Sequence, residues 1–306
     1  MRYDTMLLSR YLDPKNDLSF KKIFGEERHK RIPIDFLNAV LDLTKEKKII
    51  DLEFLNPTQP PKIAARKESL VDVLVRDQRG VRYIVEMQVA RIEGFEQRAQ
   101  YYAAKTYCAE FGKGGKYQDL KKVIFLAITD YVVFPKKDRY KSDHVVLDNK
   151  SYEHDLKGFS FTFVELPKFI KDSAELHSIE DKWYYFLKHA DESNNINTVL
   201  ANHPEIREAY HVLDRYGWTE EELHYYEKSI MDDADEYGKI EAAKKEGMEK
   251  GMKKGMEKGM EKGRKERNLT IATALLQKGM SVDEIIEITT LSQKEITNLM
   301  VGNRKG

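Results

Sequence analysis

Apolar residues recur along this chain in two spacings, one helical and one strand-like. Leu18, Phe20, Ile23 and Phe24 share a helical face behind a cap at Asn16 or Asp17, after turn chemistry at Asp13 and Pro14. Ile34, Phe36, Leu37, Val40 and Leu41 mark a second helix, with Pro33 in its first turn. The period then falls to two. Residues 49–55 alternate acidic and apolar positions, which predicts a strand, and a Pro-rich loop follows over 56–62. Residues 68–77 and 81–89 are β-branched runs of strand length with a turn between them. Residues 93–111 return to helical spacing through Phe95, Arg98, Ala99, Tyr102, Thr106 and Ala109. Residues 123–129 are an unbroken apolar run, the mark of a strand buried on both faces. The order helix, strand, strand, strand, helix, strand predicts an α/β fold with a mixed sheet, because a crossover helix lets the last strand run parallel to a neighbour. Residues 144–147 and 159–166 are further strand candidates. Helices are expected from Pro167 onward, over 181–188 and 204–216, and behind a capping box at Thr219 and Glu222. Residues 1–10 read as a loose leader.

The two central strands each carry an acid where propensity disfavours one, Asp72 and Glu86. Asp77-Gln78-Arg79-Gly80 fits a type I turn closed by a left-handed glycine, a three-residue loop with a bulge. That loop pairs Asp77 with Val81. Counting back along one strand and forward along the other sets Val75 opposite Tyr83, Val73 opposite Val85, and Asp72 opposite Glu86. Gln88 shares the face of Glu86. Val71, Val73, Val75, Tyr83, Val85 and Met87 form the other face, expected as core. A slip of one residue would part the two acids.

Composition narrows the chemistry. With 306 residues the chain is long enough for more than one unit. Fifty-two basic residues balance fifty-two acidic ones, so no global charge marks a nucleic-acid binder, although a local basic groove remains compatible. Cys108 is the single cysteine, which excludes an internal disulfide and a Cys-rich zinc site; it is expected as a small buried residue on its helix. The eight histidines show no metal-ligand spacing. Serine-hydrolase, phosphate-loop and dinucleotide fingerprints are missing. No apolar run approaches the roughly 20 residues of a membrane span, and no signal-peptide pattern opens the chain, so a cytoplasmic, membrane-free protein is expected.

Four domains are expected: 1–170 as the α/β core, 171–238 as a helical extension, 239–267 as a repeat linker and 268–306 as a small helical segment. The linker repeats Gly-Met-Glu-Lys from Gly247 to Gly263, with lysine in place of glutamate in the unit that starts at Gly251. A four-residue repeat drifts about 40° per step around a helix. Each glycine costs about 1 kcal/mol against alanine there. The segment is therefore either a flexible tether or a helix stabilised by close packing on a second copy. Lys239 to Arg267 holds eleven basic against six acidic residues, a modest basic excess. Beyond it, capping boxes at Ser281/Glu284 and Ser292/Glu295 open two short helices. They have helix-turn-helix proportions and equally those of an oligomerisation module.

Two acids facing each other admit two explanations. The face is solvated, with Arg76 and Arg82 at its far end, or it holds a hard divalent cation. Mg²⁺ takes a few carboxylate oxygens and keeps waters. Asp72 and Glu86 supply one oxygen each, and the main-chain carbonyl of Met87 or Gln88 a third. Gln88 is then placed to orient a water or a phosphate.

The element order and five stretches resemble the PD-(D/E)XK nuclease superfamily, and within it the bacterial recombination-promoting nuclease or putative transposase family. The stretches are Asn16 to Gly25, Val71-Asp72-Val73, Ile84-Val85-Glu86-Met87-Gln88, Arg98 to Tyr102, and Val164-Glu165-Leu166-Pro167-Lys168-Phe169. The glycine repeat and the segment from Lys278 to Ser281 add to the likeness. The resemblance implies a restriction-endonuclease-like core of αβββαβ order and a Mg²⁺-dependent DNA endonuclease, with Mn²⁺ or Ca²⁺ as substitutes. It implies Asp72 and Glu86 as ligands, Gln88 as a catalytic residue where the superfamily places lysine, and a link to recombination or mobile elements. Lys21 or Lys67 is a candidate for the missing charge, Asp17 for an extra acid, and Arg98 with Tyr102 for a phosphate contact. Self-association through the C-terminal segment is expected. The competing expectation is a non-catalytic DNA-binding or oligomerising protein on a degenerate nuclease scaffold.

Overall fold

A computed structural model describes residues 9–56, 58–59, 69–109 and 116–302. It divides into two compact units, Met1–Asp233 and Ala234–Gly306.

The first unit is built on a six-stranded mixed sheet. Its helices and strands in chain order are α1 (Asp17–Phe24), α2 (Arg31–Val40), β1 (Leu52–Phe54), β2 (Thr58–Gln59), β3 (Ser69–Leu70), β4 (Val73–Asp77), β5 (Arg82–Gln88), α3 (Phe95–Ala109), β6 (Val123–Thr129), β7 (Lys141–Val145), β8 (Phe159–Glu165), α4 (Ile179–His189), α5 (Thr198–Ala201), α6 (Pro204–Leu213) and the start of α7 (Glu220–Gln277). The sheet order is β1-β4-β5-β6-β8-β7, and β2 and β3 form a separate two-stranded sheet. β5, β6 and β8 run parallel, while β1, β4 and β7 join their neighbours antiparallel. The αβββαβ order expected from the sequence is present, and α3 is the crossover that lets β6 lie parallel to β5.

The turn chemistry explains the register. Gly80 takes φ 84°, Gly80 N–H donates to Asp77 O at 2.9 Å, and Asp77 N–H donates to Val81 O at 2.9 Å. The Asp77 carboxylate, buried at the loop, accepts from the main-chain N–H groups of Arg79 and Val81 and from the Tyr83 hydroxyl. Val73 pairs with Val85 and Val75 with Tyr83, as the turn dictates.

Two hydrophobic layers cover the sheet. Val73, Val75, Tyr83, Val85, Ile124, Leu126 and Ile128 face a layer that contains Phe20, Phe24, Phe36, Trp183, Phe186, Tyr210 and Tyr226. Leu74, Ile84, Phe125 and Phe163 face Phe95, Ala99 and Ala103 of α3. Val71 lies in this second layer rather than beside Val73. The strict alternation stops at Asp72, which is a bend outside the ladder. From the expected extension, 171–238, α4, α6 and Tyr226 contribute side chains to the first layer. Arg10, placed in the expected leader, is tied to Asp214 at 2.7 Å. Cys108 is exposed, against expectation. The buried face of α3 runs through Phe95, Ala99, Ala103 and Thr106, and Cys108 sits about 200° around the helix from Thr106.

In the second unit the glycine repeat is helical, within α7. Met248, Met252, Met256 and Met260 are all exposed on it. A β-carbon added at any of Gly247, Gly251, Gly255, Gly259 or Gly263 would meet nothing within 4 Å. Ala272 packs with Ile285, Leu291 and Ile296, which belong to α7, to α8 (Val282–Thr289), to the turn, and to α9 (Gln293–Gly302). Capping boxes close both short helices at Ser281/Glu284 and Ser292/Glu295. Among the described residues no helix is long and apolar enough to cross a membrane.

Candidate active site

The Asp72 bend and the C-terminal end of β5 bring the expected acids together. Asp72 precedes β4 by one residue, across the ladder from Glu86. Its Oδ2 accepts from Met87 N–H at 2.8 Å, and its own N–H reaches Glu86 Oε2 at 3.4 Å. In an extended strand the N–H and C=O of one residue point to the same edge. The Met87 carbonyl therefore faces the β4 edge beside Asp72. The Gln88 carbonyl faces the other way and accepts from Asp130 N–H at 3.0 Å. Of the two carbonyl candidates, Met87 is the one on the side of the acids.

The face is solvated only in part: Asp72 keeps 16% of its side chain exposed. Glu86 is 2% exposed, because α3 crosses over it. Arg98, on α3, donates Nη2 to Glu86 Oε1 at 2.5 Å. Its guanidinium lies 5.2 Å from the centroid of the half-buried Tyr102 ring, one turn on. Arg98 Nε is buried with no hydrogen-bond partner among the described residues. On the α1 side, Lys21 Nζ is 2.6 Å from Asp17 and 3.9 Å from Asp72 Oδ1. Arg76 and Arg82 are engaged elsewhere, with Glu53 and the Thr106 carbonyl.

The electrostatics follow from burial. Burial raises Asp72 to about 6; Asp17 adds to the rise, while the Met87 N–H, Lys21 and Arg98 oppose it. Burial, and then the facing Asp72 charge, raises Glu86 to about 8, with Arg98 opposing. Two carboxylates held in a low dielectric destabilise each other's charged forms unless a cation sits with them. Buried Glu86, part-buried Asp72 and a main-chain carbonyl form an all-oxygen donor set, which suits a hard divalent ion. These residues fit such an ion.

Asp17, Lys21, Asp72, Glu86, Arg98 and Tyr102 thus form one connected group. Gln88 is on its margin: its Nε2 donates to Ala90 O at 3.1 Å. Lys67 lies outside the described residues. Asn16, not Asp17, caps α1, which leaves the Asp17 side chain to Lys21.

Two further clusters carry acids, one of them hidden in the sequence. His203, Asp35 and Glu205 have ligand atoms close enough for a metal. However, Asp35 Oδ2 already accepts from Trp183 Nε1 at 2.9 Å and lies 2.8 Å from His203 Nε2, so the trio ties α2 to α4 and α6. Across 168 positions of sequence, no local spacing announces that contact. The Glu165-Leu166-Pro167-Lys168 stretch is a clamp. Buried Glu165 accepts from Val133 and Phe134 N–H and from Lys168, which also donates to Phe134 O. It shapes the loop after β6 and stands apart from the acids.

No curated protein and no solved structure compared with the chain gives a match. A model of the PD-(D/E)XK nuclease family transposases matches residues 14–243, which include every element of the site, and the chain belongs to that family.

Proposed function

We propose that the protein is a metal-dependent DNA endonuclease that hydrolyses phosphodiester bonds at Asp72 and Glu86, with Mg²⁺ as the ordinary ion and Mn²⁺ or Ca²⁺ as substitutes. The observation that carries this reading is the pairing of part-buried Asp72 with buried Glu86 where β4 begins and β5 ends, beside the Met87 carbonyl. A bound divalent ion would supply an activated water and neutralise charge building on the phosphoryl oxygens. Asp72, Glu86 and the Met87 carbonyl would hold it. Gln88 is neutral and cannot supply charge. Its amide is suited to orienting a water or a phosphate oxygen, once released from the Ala90 carbonyl. Lys21, with its ammonium 3.9 Å from Asp72 Oδ1, is one candidate for the charge that the superfamily's lysine provides, and Lys67 is the other.

The C-terminal repeat and helical segment would join copies of the chain, and the setting would be bacterial cytoplasmic DNA undergoing recombination or transposition. Supercoiled plasmid with Mg²⁺ tests the catalytic reading. Wild type should nick it, and Asp72→Ala should slow nicking about 10³-fold, the equivalent of several kcal/mol of metal stabilisation. Equal rates would remove the proposal. A second reading, a DNA-binding scaffold without catalysis, draws on Gln88 at the lysine position. It predicts salt-sensitive DNA binding that needs no divalent ion and leads to no cleavage.

A further inference from the structure

We propose that Arg98 is a resident counter-ion that competes with the divalent cation for Glu86 and leaves it for a DNA phosphate, so that ion and DNA bind cooperatively. The inference rests on the metal-site reading above and concerns what already occupies that site. Glu86 has two oxygens. Oε2 is turned toward Asp72 N–H at 3.4 Å, and Oε1 is taken by Arg98 at 2.5 Å. An ion bridging Asp72 and Glu86 must share this buried carboxylate with a guanidinium. Two positive centres would then crowd one acid in a low dielectric, where like charges repel strongly.

The two resident cations are not equivalent. Lys21 sits closer to Asp17 than to Asp72, so an ion at Asp72 leaves it a partner. Among the described residues, Arg98 has no second carboxylate in its ion pairs. Beyond Glu86 its charge is felt by Asp72, its guanidinium lies against the Tyr102 ring, and its side chain is 31% exposed. Its present pose also leaves Nε buried and unmatched among the described residues. A phosphate offers what the pose lacks, two oxygens for the fork of Nε and Nη2. Displacement from Glu86 is therefore opposed when the ion arrives alone and favoured when DNA is present. Such coupling is reciprocal: each ligand raises the affinity for the other.

Calorimetric titration of Mn²⁺ into the full chain without DNA tests this, with thermal unfolding of each protein as the check on folding. Arg98→Gln keeps the length of the side chain and removes the charge. It should bind Mn²⁺ about tenfold tighter or more, the size of effect that neighbours of metal ligands exert. Arg98→Lys keeps the charge and loses the fork. It should bind the ion as wild type does, yet lose the gain in Mn²⁺ affinity that a short uncleavable phosphorothioate duplex gives wild type. Arg98→Gln binding that is unchanged or weaker overturns the inference while leaving the metal site standing. Wild type and Asp72→Ala binding the ion equally would overturn the metal site itself, and this inference with it.

Discussion

Glu86 concentrates the chemistry of the site in one side chain. Burial and Asp72 raise it to about 8 from the ordinary 4.5. Between those values the native, metal-free chain holds a proton that the unfolded chain has released. The stabilisation tied to that proton is complete below 4.5 and is lost as pH rises through about 8. Metal-free wild type should therefore lose thermal stability across that window. Glu86→Gln cannot ionise and should show a flatter profile by calorimetry; parallel profiles would contradict the assigned shift. At this scale the sequence is readable where chemistry is local. Asp72 opposite Glu86 follows from Gly80 and its turn, whereas position alone leaves the cap open between Asn16 and Asp17, and the fold gives it to Asn16. The Arg98–Glu86 bond does not, because it depends on how tightly α3 lies on the sheet. Gln88 takes the face that strand spacing predicts, yet nothing local reveals that its amide turns to Ala90.

Among the elements, the hairpin is the most legible because a period of two and one turn fix it. Val71 departs because the strand ends at the Asp72 bend, and a bend has no period to read. α3 is legible as a helix but not in its facing: Ala99 and Ala103, small residues that let it approach the sheet, set the buried side and leave Cys108 outside. The repeat in α7 admits a tether or a helix on its sequence, because glycine every fourth residue opposes a helix while the flanking Glu and Lys favour it. The fold makes it a helix with its glycines bare. Replacing Gly251 and Gly255 together by alanine should raise helicity and stabilise the segment by about 1 kcal/mol each. If the glycines seat a second copy, the same change should weaken self-association in light scattering. A gain in helicity with mass unchanged would separate the helix from the interface.

For the whole molecule, the family's fold is legible from element order, whereas the unit boundary is not. The helices after β8 resemble an extension because their apolar faces carry no label for what they cover. Their side chains finish the core around Trp183, which packs against Phe24, Phe36 and Phe186 and bonds Asp35. Trp183→Ala should cost about 3–5 kcal/mol in denaturant unfolding of the first unit. A cost under about 1 kcal/mol would mean that α4 is not part of that core. Two acid-bearing clusters in this unit are rival candidates for a metal, the pair at Asp72 and Glu86 and the trio at Asp35, His203 and Glu205. Anomalous diffraction from crystals soaked in Mn²⁺ decides between them. One strong peak is expected between Asp72 and Glu86, at about 2.0–2.2 Å from an oxygen of each and near the Met87 carbonyl. A map bare at those acids, or with its only peak at His203, would refute their assignment as the metal ligands.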